Sequence, residues 1–224
     1  MGIWNRRKKE KDMGKQKEAP ELSAPGWEAI DRACARVYPD QKEPCHHFAS
    51  LIKWRFGGDG PLDGVSVYDG GEYWHFVTYG LSELYEKECE DPAVSGYGME
   101  FTFKLKQEPY EDREAELKGI CGILQSIAKL TFTKGELFLP YEYLYSGQKD
   151  GIDVNQKSNI TGFITVPDRE LGVMETPNGR VEFVEFIGVT DRELLAVRNG
   201  GIDVRGLYGE LQSDVTDYHR ESVR

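Results

Sequence analysis

Four histidines and four cysteines carry whatever metal or nucleophilic chemistry this 224-residue chain holds. Cys34, Cys45, Cys89 and Cys121 fall at irregular spacings with no CxxC pair, so neither a zinc site nor a redox motif is indicated. Each reads as a packed or surface thiol, at home in a reducing cytoplasm. Cys45-His46-His47 is the nearest approach to a metal corner. Neighbours on a strand point to opposite faces, which keeps these three from closing on one ion. His219 stands among polar residues and reads as solvated. His75 is different. It lies in "EYWHFVTYGLSELYE", residues 72–86, between Trp74 and Phe76 with Tyr73 and Tyr79 close by. A catalytic imidazole needs a nucleophile and an orienting carboxylate. Asp69, Glu72, Tyr79 and Cys89 are near in sequence, but none has a diagnostic spacing. A histidine in an apolar strand is more often a hydrogen-bonded structural group or faces a partner. Phosphate loops, GxSxG turns, HExxH and GxGxxG motifs are absent. The residues therefore predict no enzyme, no cofactor and no metal, with a small hydrolase using His75 as the catalytic alternative.

The elements that would position these residues follow from hydrophobic periodicity. Residues 1–22 are polar and charged without such periodicity and read as a basic disordered tail. Pro25 suits a first helical turn; Trp27, Ile30, Cys34 and Val37 recur on one face before Pro39. A strand is predicted over 47–56, then the glycine-rich turn "GGDGPLDG" and the short strand "VSVY". Residues 73–81 are apolar on both faces, as in an interior strand. In 99–106, Met99, Phe101, Phe103 and Leu105 face the core and Glu100, Thr102, Lys104 and Lys106 are expected to face solvent. An amphipathic helix spans 111–130, with Leu117, Ile120, Leu124 and Ile127 buried and a Glu114–Lys118 pair outside. Residues 131–160 read as a covering loop, "ITGFITVPD" as a strand, and "VMETPNGRVEFVEFIGV" as a hairpin turning at Asn178-Gly179. Thr190 and Glu193 form a capping box for a helix that stops at Asn199-Gly200. The fold class is α+β, a mixed, mostly antiparallel sheet with packed helices. The domain is placed at 23–206, with a polar C-terminal tail at 207–224.

Charge is unevenly distributed. Residues 1–19 carry seven Lys or Arg against three Asp or Glu, a net of +4, which leaves −15 for the remainder of a chain at −11 overall. Such a domain repels nucleic acid and would draw in a basic protein; solubility alone is the other reading. No apolar run is long enough for a membrane span, and no secretory signal is evident.

Four blocks in order, "AIDRACARVYPDQKEP", "KWRFGGDGPLDGVSVY", "EYWHFVTYGLSELYE" and "SGYGMEFTFKLK", followed by "METPNGRVEFVEFIGVTDREL", resemble the suppressor-of-fused (Sufu) domain. The resemblance covers roughly residues 25–205 and corresponds to the N-terminal half of the animal proteins. It implies a cytoplasmic protein-binding module. In animals the family restrains a zinc-finger transcription factor of the Hedgehog pathway, taking up a partner segment as an added strand. Its stand-alone bacterial members include immunity proteins of polymorphic toxin systems, and the short chain with its acidic core fits that role. The expectation is an immunity protein neutralising a toxin domain or binding a basic peptide segment; an intracellular adaptor sequestering another protein is the alternative. The expected partner-binding residues are Tyr73, His75, Tyr79, Leu81, Glu83, Tyr85, Glu86 and Glu88, with the acidic turn at 83–91 read either as an interface or as a solvated loop.

Overall fold

Pro25 opens α1 (Pro25–Val37), which buries Ile30, Ala33 and Cys34 along one face. The protein is described by a computed structural model that covers residues 23–50, 54 and 57–224; the basic tail expected over 1–22 lies outside the described residues. The strand expected over 47–56 is shorter. β1 (His46–Ala49) pairs with β2 (Gly64–Asp69), and this ladder ends where Ala49 lies opposite Gly64, the first residue of β2. Trp54 sits in a 3-10 turn, and residues 51–53 and 55–56 lie outside the described residues.

β3 (Tyr73–Tyr79) runs antiparallel between β2 and β4 (Val94–Lys106) and is covered on both faces, as its two-sided apolar pattern predicts. α2 (Arg113–Lys134) is capped by Asp112, whose side chain accepts from Ala115 N, and closes at Gly135; Glu114 and Lys118 pair at 2.6 Å on its outer face. β5 (Tyr143–Leu144), β6 (Ile160–Pro167), β7 (Val173–Thr176) and β8 (Gly179–Thr190) come next, then α3 (Asp191–Arg198), entered through the predicted capping box, and α4 (Val204–Leu211). The sheet order is β1-β2-β3-β4-β8-β6-β5, with β7 also pairing β8; β4 and β8 run parallel and the other pairs antiparallel. Thr176 pairs with Gly179, so the hairpin turns at Pro177-Asn178, one residue earlier than expected. Proline presets the first turn position, which fixes that register.

Helix α2 covers one face of the sheet over Phe76, Phe101, Phe103 and Phe186, and α1, α3 and α4 cover the other. That arrangement corrects the reading of β4. Glu100, Thr102 and Lys104, expected in solvent, are 0%, 0% and 1% exposed. Alternation showed that they share a face; it carried no information about the layer that α1, the 168–172 loop and the C-terminal segment lay over that face.

Residues 207–224, read as a polar tail, complete α4 and return to the sheet. β4 and β8 part after the Phe103–Phe186 pair, and Thr216 fills the fork. Its N–H donates to Lys104 O (2.8 Å), its carbonyl accepts from Lys106 N (2.9 Å), and its hydroxyl accepts from Gly188 N (2.8 Å). Beyond it Tyr218 is buried, and the Arg220 guanidinium forms a bidentate pair with buried Glu193 at 2.6 Å on both arms. Removing one member of a buried pair strands the other charge. Arg220→Ala should therefore cost about 3 kcal/mol, read from the urea midpoint. Arg180→Ala, which breaks the exposed 3.5 Å pair with Glu182, should change stability by less than about 1 kcal/mol.

Candidate functional site

On the α1 side of the sheet, strand alternation places Tyr73 and His75 of β3 beside Thr102 and Lys104 of β4, with His75 directly opposite Lys104. Asp168, at the end of β6, closes the group. Its Oδ2 lies 3.0 Å from His75 Nε2 and accepts from the Thr102 hydroxyl (2.8 Å), while Oδ1 accepts from Glu170 N and Leu171 N (2.8 Å each). The other imidazole nitrogen, Nδ1, lies 2.7 Å from the hydroxyl of Tyr38, the α1 C-cap. That hydroxyl is also 3.3 Å from Glu170, which accepts from Tyr73 at 2.6 Å. Lys104 reaches Asp214 (3.0 Å), Glu185 (3.2 Å) and Glu170 (3.9 Å).

Burial pushes the Asp168 carboxyl up, but the His75 bond, Lys104 and the backbone N–H groups outweigh it and hold it well below the usual carboxylate range. Burial likewise works against the Lys104 ammonium, and the carboxylates around it, Glu185 first, keep it charged. Burial pushes the Glu185 carboxyl up as well, and the Lys104 ammonium 3.2 Å away pulls against that rise. Donor atoms of His75, Asp168 and Glu170 lie within 4.8 Å of one another, close enough to share a cation. The Lys104 ammonium, 3.9 Å from Glu170, already supplies positive charge there. Both imidazole nitrogens are engaged and the ring has no exposed surface, so the cluster acts as a clamp joining α1, the 168–172 loop and the C-terminal segment. His46 packs on Phe48 and Trp74 while His47 packs on Trp27 and Tyr79, which separates the Cys45-His46-His47 run across the sheet.

A second polar assembly holds the segment after β3. Glu100 accepts from Gly80 N (2.9 Å), Ser82 N (2.9 Å), Ser82 Oγ (2.7 Å) and Thr78 Oγ1 (2.6 Å), all neutral donors. Burial raises its pKa to about 7 against those hydrogen bonds. Glu83 does the same for the next turn, accepting from Glu88 N (2.5 Å), Cys89 N and Lys87 Nζ (3.0 Å). Burial works against ionisation of Glu83, but these donors lower its pKa overall. Asn178, at the tip of the β7–β8 turn, donates to Glu83 O (2.8 Å) and Tyr85 O (3.4 Å).

These bonds shape a groove of about 910 Å³ between residues 80–89 and the bulged start of β4. Gly96 permits the bulge: its φ is +56°, and a Cβ there would come 2.7 Å from Leu81 O. Its lining includes an aromatic group, Tyr97 and Trp54 both edge-on to Phe132 (5.1 and 6.0 Å), together with exposed Glu86 and Glu88. Of the residues expected to bind a partner, Leu81, Glu83, Tyr85, Glu86 and Glu88 line this groove. Tyr73, His75 and Tyr79 do not. Tyr73 and His75 belong to the clamp, and Tyr79 is a core ring stacked on Trp27 (4.4 Å) that donates to Asp31 (2.8 Å). Sequence reasoning missed Tyr38, Asp168, Glu170 and Asp214, which reach His75 and Lys104 from 37 to 110 residues away.

The sequence profile described as Suppressor of fused protein (SUFU) matches residues 58–221, from the glycine-rich turn through the C-terminal segment. The chain belongs to the suppressor of fused family. Suppressor of fused homologs of Homo sapiens and Mus musculus are each 31% identical to it over 182 residues, 75% of this chain and 36% of theirs. The chain thus spans about a third of the length of these relatives. Among solved structures, the Sufu–Fu complex superposes with a TM-score of 0.75 at 27% identity, covering 89% of this chain and 92% of that one. Drosophila Suppressor of Fused gives the same score and identity, with 51% of its chain covered. A SUFU homolog from Neisseria gonorrhoeae shares the fold at a TM-score of 0.59 and 15% identity, over 88% of this chain and 96% of that one.

Two measurements probe how this suppressor of fused domain is held. His75→Ala takes one partner each from the buried Asp168 carboxylate and the Tyr38 hydroxyl and leaves a cavity between them, and should cost about 2–3 kcal/mol in denaturant unfolding. Glu100 sets a pH slope. Folded Glu100 keeps its proton to about pH 7, against 4.5 for the ordinary group. The folded state therefore holds the extra proton between those values, and stability falls as pH rises through that window, by on the order of 3 kcal/mol. Glu100→Gln keeps the acceptor and offers an N–H toward Thr78. Subtracting its stability–pH profile from that of the wild type should isolate this slope.

Proposed function

We propose that the groove beside residues 80–89 is a protein-binding site and that this suppressor of fused domain acts by engaging a basic partner there. The carrying observation is that the fold spends a buried glutamate, a second carboxylate and the Asn178 side chain on fixing one loop, then leaves Glu86 and Glu88 of that loop exposed on the lining of a groove that also holds Trp54, Tyr97 and Phe132. An aromatic anchor beside a charged rim suits protein recognition. The similar structure solved as the Sufu–Fu complex supports a binding role for this architecture. His75 supports no hydrolytic reading, because a ring without exposed surface, bonded on both nitrogens, is closed to a substrate.

The proposed partner is a toxin domain of a polymorphic toxin system, with this chain as its cytoplasmic immunity protein. The acidic balance of the chain, −11 overall, favours rapid capture of a basic domain. An adaptor that sequesters a non-toxic protein is the second reading, favoured by the Sufu–Fu likeness. The test is co-expression with toxin domains encoded beside the gene. Wild type should restore growth and the double variant Glu86→Lys/Glu88→Lys should not; equal rescue by both would remove the groove from the reading. With a purified partner, that variant should slow association about tenfold at low salt and flatten its salt dependence, with a smaller change in dissociation, in surface-plasmon-resonance traces.

A further inference from the structure

A second cleft, of about 640 Å³, lies on the α2 face of the sheet, between one flank of α2, strands β5 and β6, and the 146–156 loop. Its volume is within the range of small-molecule sites. Ile123, Leu130, Leu144, Ile152 and Phe163 make its walls apolar. Its α2 side is kept open by small residues: a Cβ on Gly122 would meet nothing within 4 Å, and one on Gly119 would meet a single Val154 methyl at 3.5 Å.

Two further observations mark the cleft as more than a packing gap. The β6–β8 register shifts between Ile160, opposite Thr190, and Gly162, opposite Val189, so Thr161 is the extra residue of a bulge. Bulges re-aim side chains and recur beside functional sites. Thr161 lines the cleft at 4% exposure, and its hydroxyl is buried without any hydrogen-bond partner among the described residues. An unsatisfied buried hydroxyl costs free energy that a ligand could recover. Gln156, also on the lining, has a left-handed φ of 57°, a conformation that few non-glycine residues adopt. The lining's one ionisable group among the described residues, Asp153, is committed to the Lys157 and Ser158 backbone N–H groups (3.0 and 2.7 Å). No free charge is left to recognise an ion.

We propose that this cleft binds a small neutral molecule with a ring-sized apolar body and a single hydrogen-bonding group placed against the Thr161 hydroxyl. The site is separate from the partner groove and does not depend on it.

The neutral fluorophore N-phenyl-1-naphthylamine, two aryl groups joined by one N–H, is the probe. Titrated into the full chain, it should give a saturable fluorescence rise with one site per protein. Gly122→Leu projects a side chain into the open floor while favouring the helix, and should weaken binding about tenfold or more by steric filling. Ser126→Leu, one helical turn on, is the second blocking variant should Gly122→Leu lose its circular-dichroism melt. Thr161→Val keeps the shape, removes the hydroxyl, and should weaken binding about fivefold, the worth of one hydrogen bond. Glu86→Lys/Glu88→Lys, at the other groove, should leave the titration unchanged. Absence of saturable binding overturns the proposal, as does binding that both filling variants leave intact. Binding blocked by the filling variants but unmoved by Thr161→Val overturns the assigned role of the hydroxyl.

Discussion

Lys104 carries its ammonium into the middle of a three-layer domain, where it is 1% exposed and meets Glu185, Asp214 and Glu170 within 3.9 Å. A buried charge on a central strand is tolerable only with counter-charges at close range. Those counter-charges come from β8, from the segment after α4 and from the 168–172 loop, so each of these pieces must be in place for β4 to be covered. The His75–Asp168–Tyr38 chain extends the same requirement to α1. The arrangement is demanding rather than strongly stabilising. Polar groups sealed between layers add little net free energy when satisfied but penalise every packing that leaves one unpaired, which selects a single arrangement of layers.

The groove beside residues 80–89 inherits its shape from that frame. Glu100 stands two residues before Thr102 on the same strand face and turns its carboxylate to the backbone at Gly80 and Ser82. The Asn178 side chain comes from a hairpin whose second strand is β8, the parallel neighbour of β4. A loop bonded from two strands is pre-ordered, and pre-ordering would lower the entropy lost if the proposed partner binds there.

The sequence exposed local regularities and concealed long-range closure. The three-and-four spacing of α1 and α2, the Thr190–Glu193 capping box and the two-sided apolar pattern of β3 each depend on residues within a few positions of one another, and the structure reproduces them. Glu100, Thr102 and Lys104 alternate as a solvent-facing row would, because alternation reports that residues share a face and not what lies above it. Nothing near His75 announced Asp168, 93 residues on. The loop at 83–91 was legible as acidic, yet its bonds to Asn178 and its opposition to Gly96 arise only after the sheet is assembled. Family resemblance supplied what periodicity could not, the order in which the blocks belong together.

The parallel pairing of β4 with β8, and the seat of Thr216 in the fork between them, set the order in which the chain can complete itself. β4 is made by residue 106, its parallel neighbour ends at residue 190, and the fork is filled from residue 216. A nascent chain therefore carries an unpaired β4 edge, with Lys104 lacking its counter-charges, while the residues from 107 to the end of β8 at 190 are made. Contacts this distant in sequence make for slow folding, and an open strand edge invites pairing with other chains. At roughly 5–20 residues per second the exposed interval lasts several seconds, during which the polar row on β4 acts as its own gatekeeper: an edge carrying a glutamate and a lysine is a poor template for aggregation until the native strands arrive to cover it.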